Sequence, residues 1–489
     1  MDKIKPTNKN RMRLINLLFA YLVIASYGLA SPEGRSEQSN NEDRSNKPNI
    51  IFIFADDLGW GDLSCYGSSK VKTPSLDRLA SGGTLFTQFY VAGSVCSPSR
   101  SGIMSGQYPA RNRVFGHFAT NQTNERRGMP NALDSNLYML TDMLKGAGYT
   151  TAHFGKWHLG DISPTEYGID VFRTDKVTNV SDDRLDIWSA EARPACTKDI
   201  LDEALKFIEQ QGEKPFYANV WFSDVHATLN PSKEQMDRVL EETSWKWPPK
   251  GVEYTAVEQV YLAALLEMDK QVGVFLEKLE KMGVSENTLI IFSSDNGPED
   301  YQISNARHSG VGSPGPFRGR KRSIYEGGIR VPFILSWPGS IPAGRVNDQS
   351  VVSGVDFLPT LAAMTGGVLP KEQLQDGENM SDVWLGADRK RTKELYWEWR
   401  FRVAGHVVNR PPMIAVREGD YKLLVNPDNS RVELYDIVTD PSELHNLASQ
   451  KTELVKRLSK KAKSWFNELP ESPWGKTAGQ NNWNWPEKK

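Results

Sequence analysis

From Pro48 onward, short apolar runs alternate with longer stretches in which apolar positions recur every three or four residues. Asn49 to Phe54 (NIIFIF) carries no polar break, so it reads as a strand buried on both faces. Thr150 to Phe154, Phe216 to Phe222, Thr288 to Ser293 and Val331 to Trp337 are further strands of the same kind. Helical spacing fills the intervals. It is clearest over Val257 to Met282, where Tyr261, Leu265, Met268, Val272, Phe275 and Leu279 share one face and Gly283 ends the run. Strands alternating with helices predict an α/β fold: a large mixed, mostly parallel sheet sandwiched by helices. Beyond Gly366-Gly367 the pattern changes. Met413 to Val425 reads as a hairpin turning at Glu418-Gly419, Glu433 to Ile437 as another strand, and Ser442 to Leu469 as a final helix. These predict a smaller C-terminal α+β domain with a short antiparallel sheet, and divide the chain into a catalytic domain at 48–370 and a C-terminal subdomain at 371–489.

The first residues follow neither pattern. Lys3, Lys5, Lys9, Arg11 and Arg13 precede an apolar run from Leu14 to Ala25, and Gly28-Leu29-Ala30 supplies the small residues of a cleavage site. Residues 1–30 are therefore expected to be a signal peptide. Their apolar stretch falls short of the roughly 20 residues that span a bilayer, so no stable membrane anchor is expected. Ser31 to Lys47 is polar and reads as a flexible linker. An exported protein follows, periplasmic or secreted.

Composition narrows the class. The 489 residues hold 59 Lys plus Arg against 61 Asp plus Glu, a net charge of -2 without a long basic block, which gives no footprint for nucleic acid. Three cysteines, Cys65, Cys96 and Cys196, cannot staple a chain of this length, and Cys65 and Cys196 read as free thiols. Of the 14 tryptophans, seven lie from Trp384 onward, where packing is their commoner use.

Several strands run into polar clusters: the first into Asp56-Asp57, that at Thr288 into Asp295-Asn296-Gly297, and that at Thr150 into Lys156-Trp157-His158. Ligands of open α/β sheets bind beyond the carboxyl ends of strands. Three carboxylates and an amide oxygen gathered there form a hard, all-oxygen donor set, suited to Ca²⁺ or Mg²⁺ rather than zinc.

Cys96-Ser97-Pro98-Ser99-Arg100 is the most specific stretch. Chance places a Cys-x-Pro-x-Arg in such a chain only about once in a hundred. Ser97 as N-cap and Pro98 at the first helical position predict a helix starting here, its N-terminal dipole end available to an anion. The pentapeptide resembles the modification motif of the type I, formylglycine-dependent sulfatases of the alkaline phosphatase superfamily. NIIFIFADDLGWGDLSCY at 49–66, TPSLDRL at 73–79, GYTTAHFGKWHLG at 148–160, RGRKRSIYEGGIRVP at 318–332 and LYDIVTDPSELHNL at 434–447 resemble further blocks of that family, in family order.

The resemblance implies that a maturation enzyme oxidises Cys96 to formylglycine, whose hydrate attacks sulfur through one hydroxyl; loss of the second hydroxyl's proton then expels sulfate and restores the aldehyde. It implies that Asp56, Asp57, Asp295 and Asn296 hold one Ca²⁺ together with an oxygen of the modified Cys96. Arg100 would pair with the hydrate, His158 would hydrogen-bond it, and Lys156 and Lys321 would neutralise sulfate oxygens. His226 would protonate the leaving oxygen. Its setting, Ser223-Asp224-Val225-His226-Ala227-Thr228, departs from the family's usual Pro-His-Thr-Pro. Arg318-Gly319-Arg320-Lys321-Arg322 is more basic than the family pattern, which suits either a reader of polyanions or a solvated loop. The function implied is hydrolysis of sulfate esters, with a sulfated carbohydrate as substrate. A phosphonate monoester or phosphodiester hydrolase of the same superfamily is the alternative, and a catalytically dead glycan binder a third.

Overall fold

The computed structural model describes residues 47–175, 184–242, 255–306, 308–473, 475 and 477–479, all within one unit, Lys47–Lys489. The expected signal peptide and all of the expected linker except Lys47 lie outside the described residues. The strands in chain order are β1 (Asn49–Ala55), β2 (Thr84–Phe86), β3 (Phe89–Tyr90), β4 (Thr150–Gly155), β5 (Val171–Thr174), β6 (Phe216–Trp221) and β7 (Thr288–Ser294). Then come β8 (Phe333–Ser336), β9 (Arg345–Asn347), β10 (Val352–Ser353), β11 (Leu395–Glu398), β12 (Ile414–Glu418), β13 (Tyr421–Val425) and β14 (Val432–Asp436).

Eight of them form one sheet in the order β5-β4-β6-β1-β7-β8-β2-β9. β5 through β7 are mutually parallel, β8 runs against both β7 and β2, and β9 is parallel to β2, so the sheet is mixed but mostly parallel as expected. β1 lies at its centre because every side chain from Ile50 to Ala55 is apolar and none is exposed. Its period of two divides the core: Ile50, Phe52 and Phe54 join the cluster on one face, Ile51, Ile53 and Ala55 the cluster on the other. The helix Thr255–Lys281 covers the second face with Tyr261, Leu265, Met268, Val272, Phe275 and Leu279, each at most 1% exposed. Gly283, at φ +72, closes it as the sequence predicts.

The C-terminal sheet is antiparallel, β11-β12-β13-β14, and the hairpin turns at Gly419-Asp420 between paired Glu418 and Tyr421. The last helix is shorter than expected, Thr452–Asn467 rather than from Ser442. Side chains divert the intervening segment: the Asp440 carboxylate accepts the Leu444 and His445 N–H groups, and Asn446 Oδ1 accepts Leu434 N–H while Leu447 N–H bonds Leu434 O. Such local bonds compete with helix formation. Trp384, Trp397, Trp399 and Trp465 are buried, in line with the packing role read from the sequence. Between the two sheets, the buried Lys422 ammonium lies 2.9 Å from Glu326 and 3.1 Å from Glu443. No described helix is long and apolar enough to cross a membrane.

Candidate active site

Four neighbouring strands deliver their polar ends to one place. β1 and β7 pair in parallel register to Ala55 opposite Ser294, so Asp56-Asp57 and Asp295-Asn296 leave the sheet side by side although some 240 residues separate them. β6, beyond β1, leads to His226, and β4, paired to Trp221 through Gly155, leads to Lys156. Cys96 opens the helix Cys96–Ser105. That helix begins with Cys96 itself rather than after Ser97: the Ser97 hydroxyl accepts the Phe118 N–H at 3.0 Å and does not cap.

Opposite charges alternate through a buried cluster. Lys156 Nζ lies 2.5 Å from Asp56, Lys321 Nζ 2.6 Å from Asp57, and Arg100 Nη2 2.8 Å from Asp295, and none of these six side chains is more than 4% exposed. Arg100 also donates to Lys156 O at 2.9 Å, which ties the β4 end to the Cys96 helix. Asn296 Nδ2 donates to Asp57 at 2.7 Å. Its Oδ1 is buried without a hydrogen-bond donor, an acceptor of the kind a hard cation satisfies. Ligand atoms of Asp56, Asp57, Cys96 and His226 all lie within 4.8 Å of one another, while the Asp295 oxygens face Arg100 and the Asp57 N–H. Asp57 (φ 61), His158 (φ 52) and Arg322 (φ 72) all sit in the left-handed region, a backbone cost that the surrounding structure offsets and that clusters at functional sites.

Burial and charge set the ionisation. Burial by itself raises Asp56, yet Lys156, His226, Arg100 and Lys321 together hold its carboxyl well below the usual range. Asp295 goes the other way, to about 7, through burial and the neighbouring Asp56 charge. Lys156 and Lys321 are raised, because Asp56 and Asp57 outweigh the cost of burying them. Burial, then Asp295, pushes the Cys96 thiol up, so the unmodified side chain stays protonated and is a poor nucleophile. His226 donates from Nδ1 to Ala227 O at 2.5 Å and leaves Nε2 3.7 Å from Asp57. Its recessed position and Lys321 lower it to about 4. His158 is held neutral by burial and Lys156, with Nε2 3.1 Å from Phe118 O and Nδ1 unpartnered.

All ten residues singled out from the sequence thus converge. The basic stretch around Lys321 is not a solvated loop: Arg318 packs 3.8 Å over the Tyr325 ring and donates to Val408 O, Arg320 donates to Glu299 O and Gly310 O, and Arg322 is paired with Glu299. Sequence reasoning did not find Trp188, edge-on to His226 at 5.7 Å, and offered His117, whose ring is 6.2 Å from that of His158, only as a substitute for His226. It also missed Arg193, which donates to His226 O at 2.6 Å and pairs with Asp224 at 3.0 Å. Their only signal was their position in the loops 114–129 and 174–195, the second of which lies partly outside the described residues.

The family model described as Sulfatase matches residues 48–368, and one described as N-sulphoglucosamine sulphohydrolase, C-terminal, matches residues 317–468. The chain is 28% identical to an N-acetylgalactosamine-6-O-sulfatase of Bacteroides thetaiotaomicron over 92% of its own length and 98% of the relative's. It is 30% identical to arylsulfatase A of Homo sapiens, over 82% of this chain and 83% of that one. Among solved structures, a sulfatase from glycosaminoglycan metabolism in Bacteroides thetaiotaomicron superposes with a TM-score of 0.70 at 26% identity, over 86% of this chain and all of the other. A phosphonate monoester hydrolase of Agrobacterium radiobacter shares the fold, with a TM-score of 0.59 at 20% identity, over 86% of this chain and 95% of that one.

Proposed function

The chain belongs to the sulfatase family and is a sulfuric ester hydrolase, and from that premise we propose that it removes sulfate from a sulfated polysaccharide or its oligosaccharides outside the cytoplasm. The observation that carries the reading is Cys96 at the start of a buried helix, enclosed by the Arg100, Lys156 and Lys321 cations and by Asp56, Asp57 and Asp295. The names of the relatives support a sugar ester as substrate, and the basic, apolar and small-residue segments of residues 1–30 support export.

Formylglycine at position 96 would supply a hydrated aldehyde as nucleophile. The donor set fits a hard divalent cation, for which Asn296 Oδ1 stands unsatisfied among buried carboxylates. Asp56, Asp57, Asp295 and Asn296 would hold Ca²⁺, which would supply positive charge against the sulfate oxygens. The protein's own groups do the rest. Arg100 cannot lose its proton at working pH and fixes the position-96 hydrate through hydrogen bonds. Lys156 and Lys321, both raised, stay charged and oppose the negative charge that grows on sulfate in the transition state, a contribution largest in a site closed to water. His158, held neutral, has a free Nδ1 to accept a proton from the hydrate. His226, its Nδ1–H engaged by Ala227 O and its ring lowered to about 4, must first take up a proton on the open Nε2, and that protonated form would donate it to the leaving oxygen.

The deciding experiment measures sulfate release from a panel of defined sulfated oligosaccharides, N-acetylgalactosamine 6-sulfate included, beside a phenyl phosphonate monoester and an aryl phosphodiester. The proposal requires at least one sugar sulfate to be turned over faster than either phosphorus ester. Faster turnover of a phosphorus ester, with every sugar sulfate inert, would replace it by the phosphonate or phosphodiester reading.

A further inference from the structure

Trp188 belongs to neither the charged cluster nor the closed core. It is half-buried, with its inner edge on the apolar cluster that also holds Ile187, Cys196 and Val225. Its ring stands edge-on to His226 at 5.7 Å, and the Lys156 ammonium is 5.5 Å from the ring centroid. The indole therefore borders both the group that would meet the sulfate and the group that would meet the leaving oxygen.

Its orientation is fixed from several sides. The indole N–H donates to Asp175 Oδ2 at 2.6 Å, so the single polar atom of the ring is satisfied within the protein. Asp186 Oδ1 accepts the Trp188 and Ser189 backbone N–H groups at 3.0 and 2.9 Å, which fixes the turn carrying the side chain. The Arg193 guanidinium lies 5.7 Å from the ring while bonding Ser223 Oγ and His226 O, so the platform and the histidine share one support. A core tryptophan needs no such fixing. Lys156 and Arg193 lie over the indole, and the residue stays partly exposed beside the reaction centre with its N–H engaged; the uncovered part of such a rigid aromatic surface packs against the apolar side of a pyranose with little entropy left to lose.

We propose that Trp188, set by Asp175 and Arg193, is the binding platform for the ring that carries the sulfate ester, its face packing against the apolar side of a pyranose while the ester oxygen points to His226. The proposal rests on the sulfatase reading above and names the part of the site that holds the leaving group rather than the sulfate.

Trp188→Ala and Trp188→Phe in the full-length protein test it. Kinetics are taken on N-acetylgalactosamine 6-sulfate and on 4-nitrophenyl sulfate, with inorganic sulfate as competitive inhibitor. Trp188→Ala should raise KM for the ring-bearing esters by about three- to ten-fold, the scale of one aromatic packing contact. The inhibition constant of inorganic sulfate, which lacks a ring, should move less than about two-fold on the same scale, and Trp188→Phe should recover most of the loss. Unchanged KM values would overturn the proposal. So would a rise in the sulfate inhibition constant parallel to that in KM, since Trp188 would then only prop Lys156 and His226. If the wild type hydrolyses 4-nitrophenyl sulfate and no sugar sulfate of the panel, the carbohydrate reading fails separately, and the platform is judged on the aryl ring alone.

Discussion

His226 and Lys321 approach the same Asp57 carboxylate, at 3.7 and 2.6 Å, yet the chemistry assigns them different halves of the ester. A proton matters most to a leaving oxygen of high basicity, so His226→Ala should lose about 10²- to 10⁴-fold on a sugar sulfate and far less on 4-nitrophenyl sulfate. Lys321→Ala should slow both alike, because both share the sulfate. Rates on the paired substrates check this, and equal losses for His226→Ala would make it a binding residue. The same contrast separates what was legible from what was not. Asp56, Asp57, Cys96, Lys156 and Asp295 could be read from the sequence because strand ends and a short motif mark them locally, whereas Lys321 was legible only through the resemblance of residues 318–332 to a family block. Trp188, His117 and Arg193 reach the site through loop packing, which leaves no period and no spacing to read.

Elements were legible where burial is two-sided. β1, β4, β6 and β7 agree with the apolar runs to within a residue or so, since strands covered on both faces are mostly apolar even where buried His153 of β4 and Asn219 of β6 interrupt the run. Boundaries set by side-chain bonds were not: the last helix starts at Thr452 because Asp440 and Asn446 engage the preceding backbone, and Ser97 bonds Phe118 rather than capping. At the end of β4 a glycine is required. Gly155 sits at φ +100, and a Cβ there would stand 2.0 Å from Trp221 O. Gly155→Ala should therefore destabilise the fold by about 1–3 kcal/mol and displace Lys156, the next residue. A lowered thermal midpoint together with a fall in kcat is the expected result, and an unchanged midpoint would contradict it.

At the scale of the molecule, one sheet gathers the site and the C-terminal sheet supports it. Glu326, eight residues along from the Arg318 loop start, meets Lys422 of β13, so the segment that carries Lys321 is anchored on the second sheet. The apolar pattern showed that a second sheet exists; it could not show this contact, because a buried Lys between two Glu has no sequence signature. Cation binding should be felt by the whole fold. A ligand held only by the native state at 100 times its Kd stabilises by about 2.7 kcal/mol, so chelation should lower the thermal midpoint and abolish turnover, with Ca²⁺ restoring both. A midpoint and a rate both indifferent to chelation would remove the metal from the account.

The central claim is that position 96 acts as formylglycine. Its most direct test is mass spectrometry of the tryptic peptide containing residue 96, from preparations of graded specific activity. Activity should rise in proportion to the fraction of peptide that has lost sulfur and two hydrogens and gained one oxygen. Full activity in protein whose Cys96 is wholly an unmodified thiol would contradict the account.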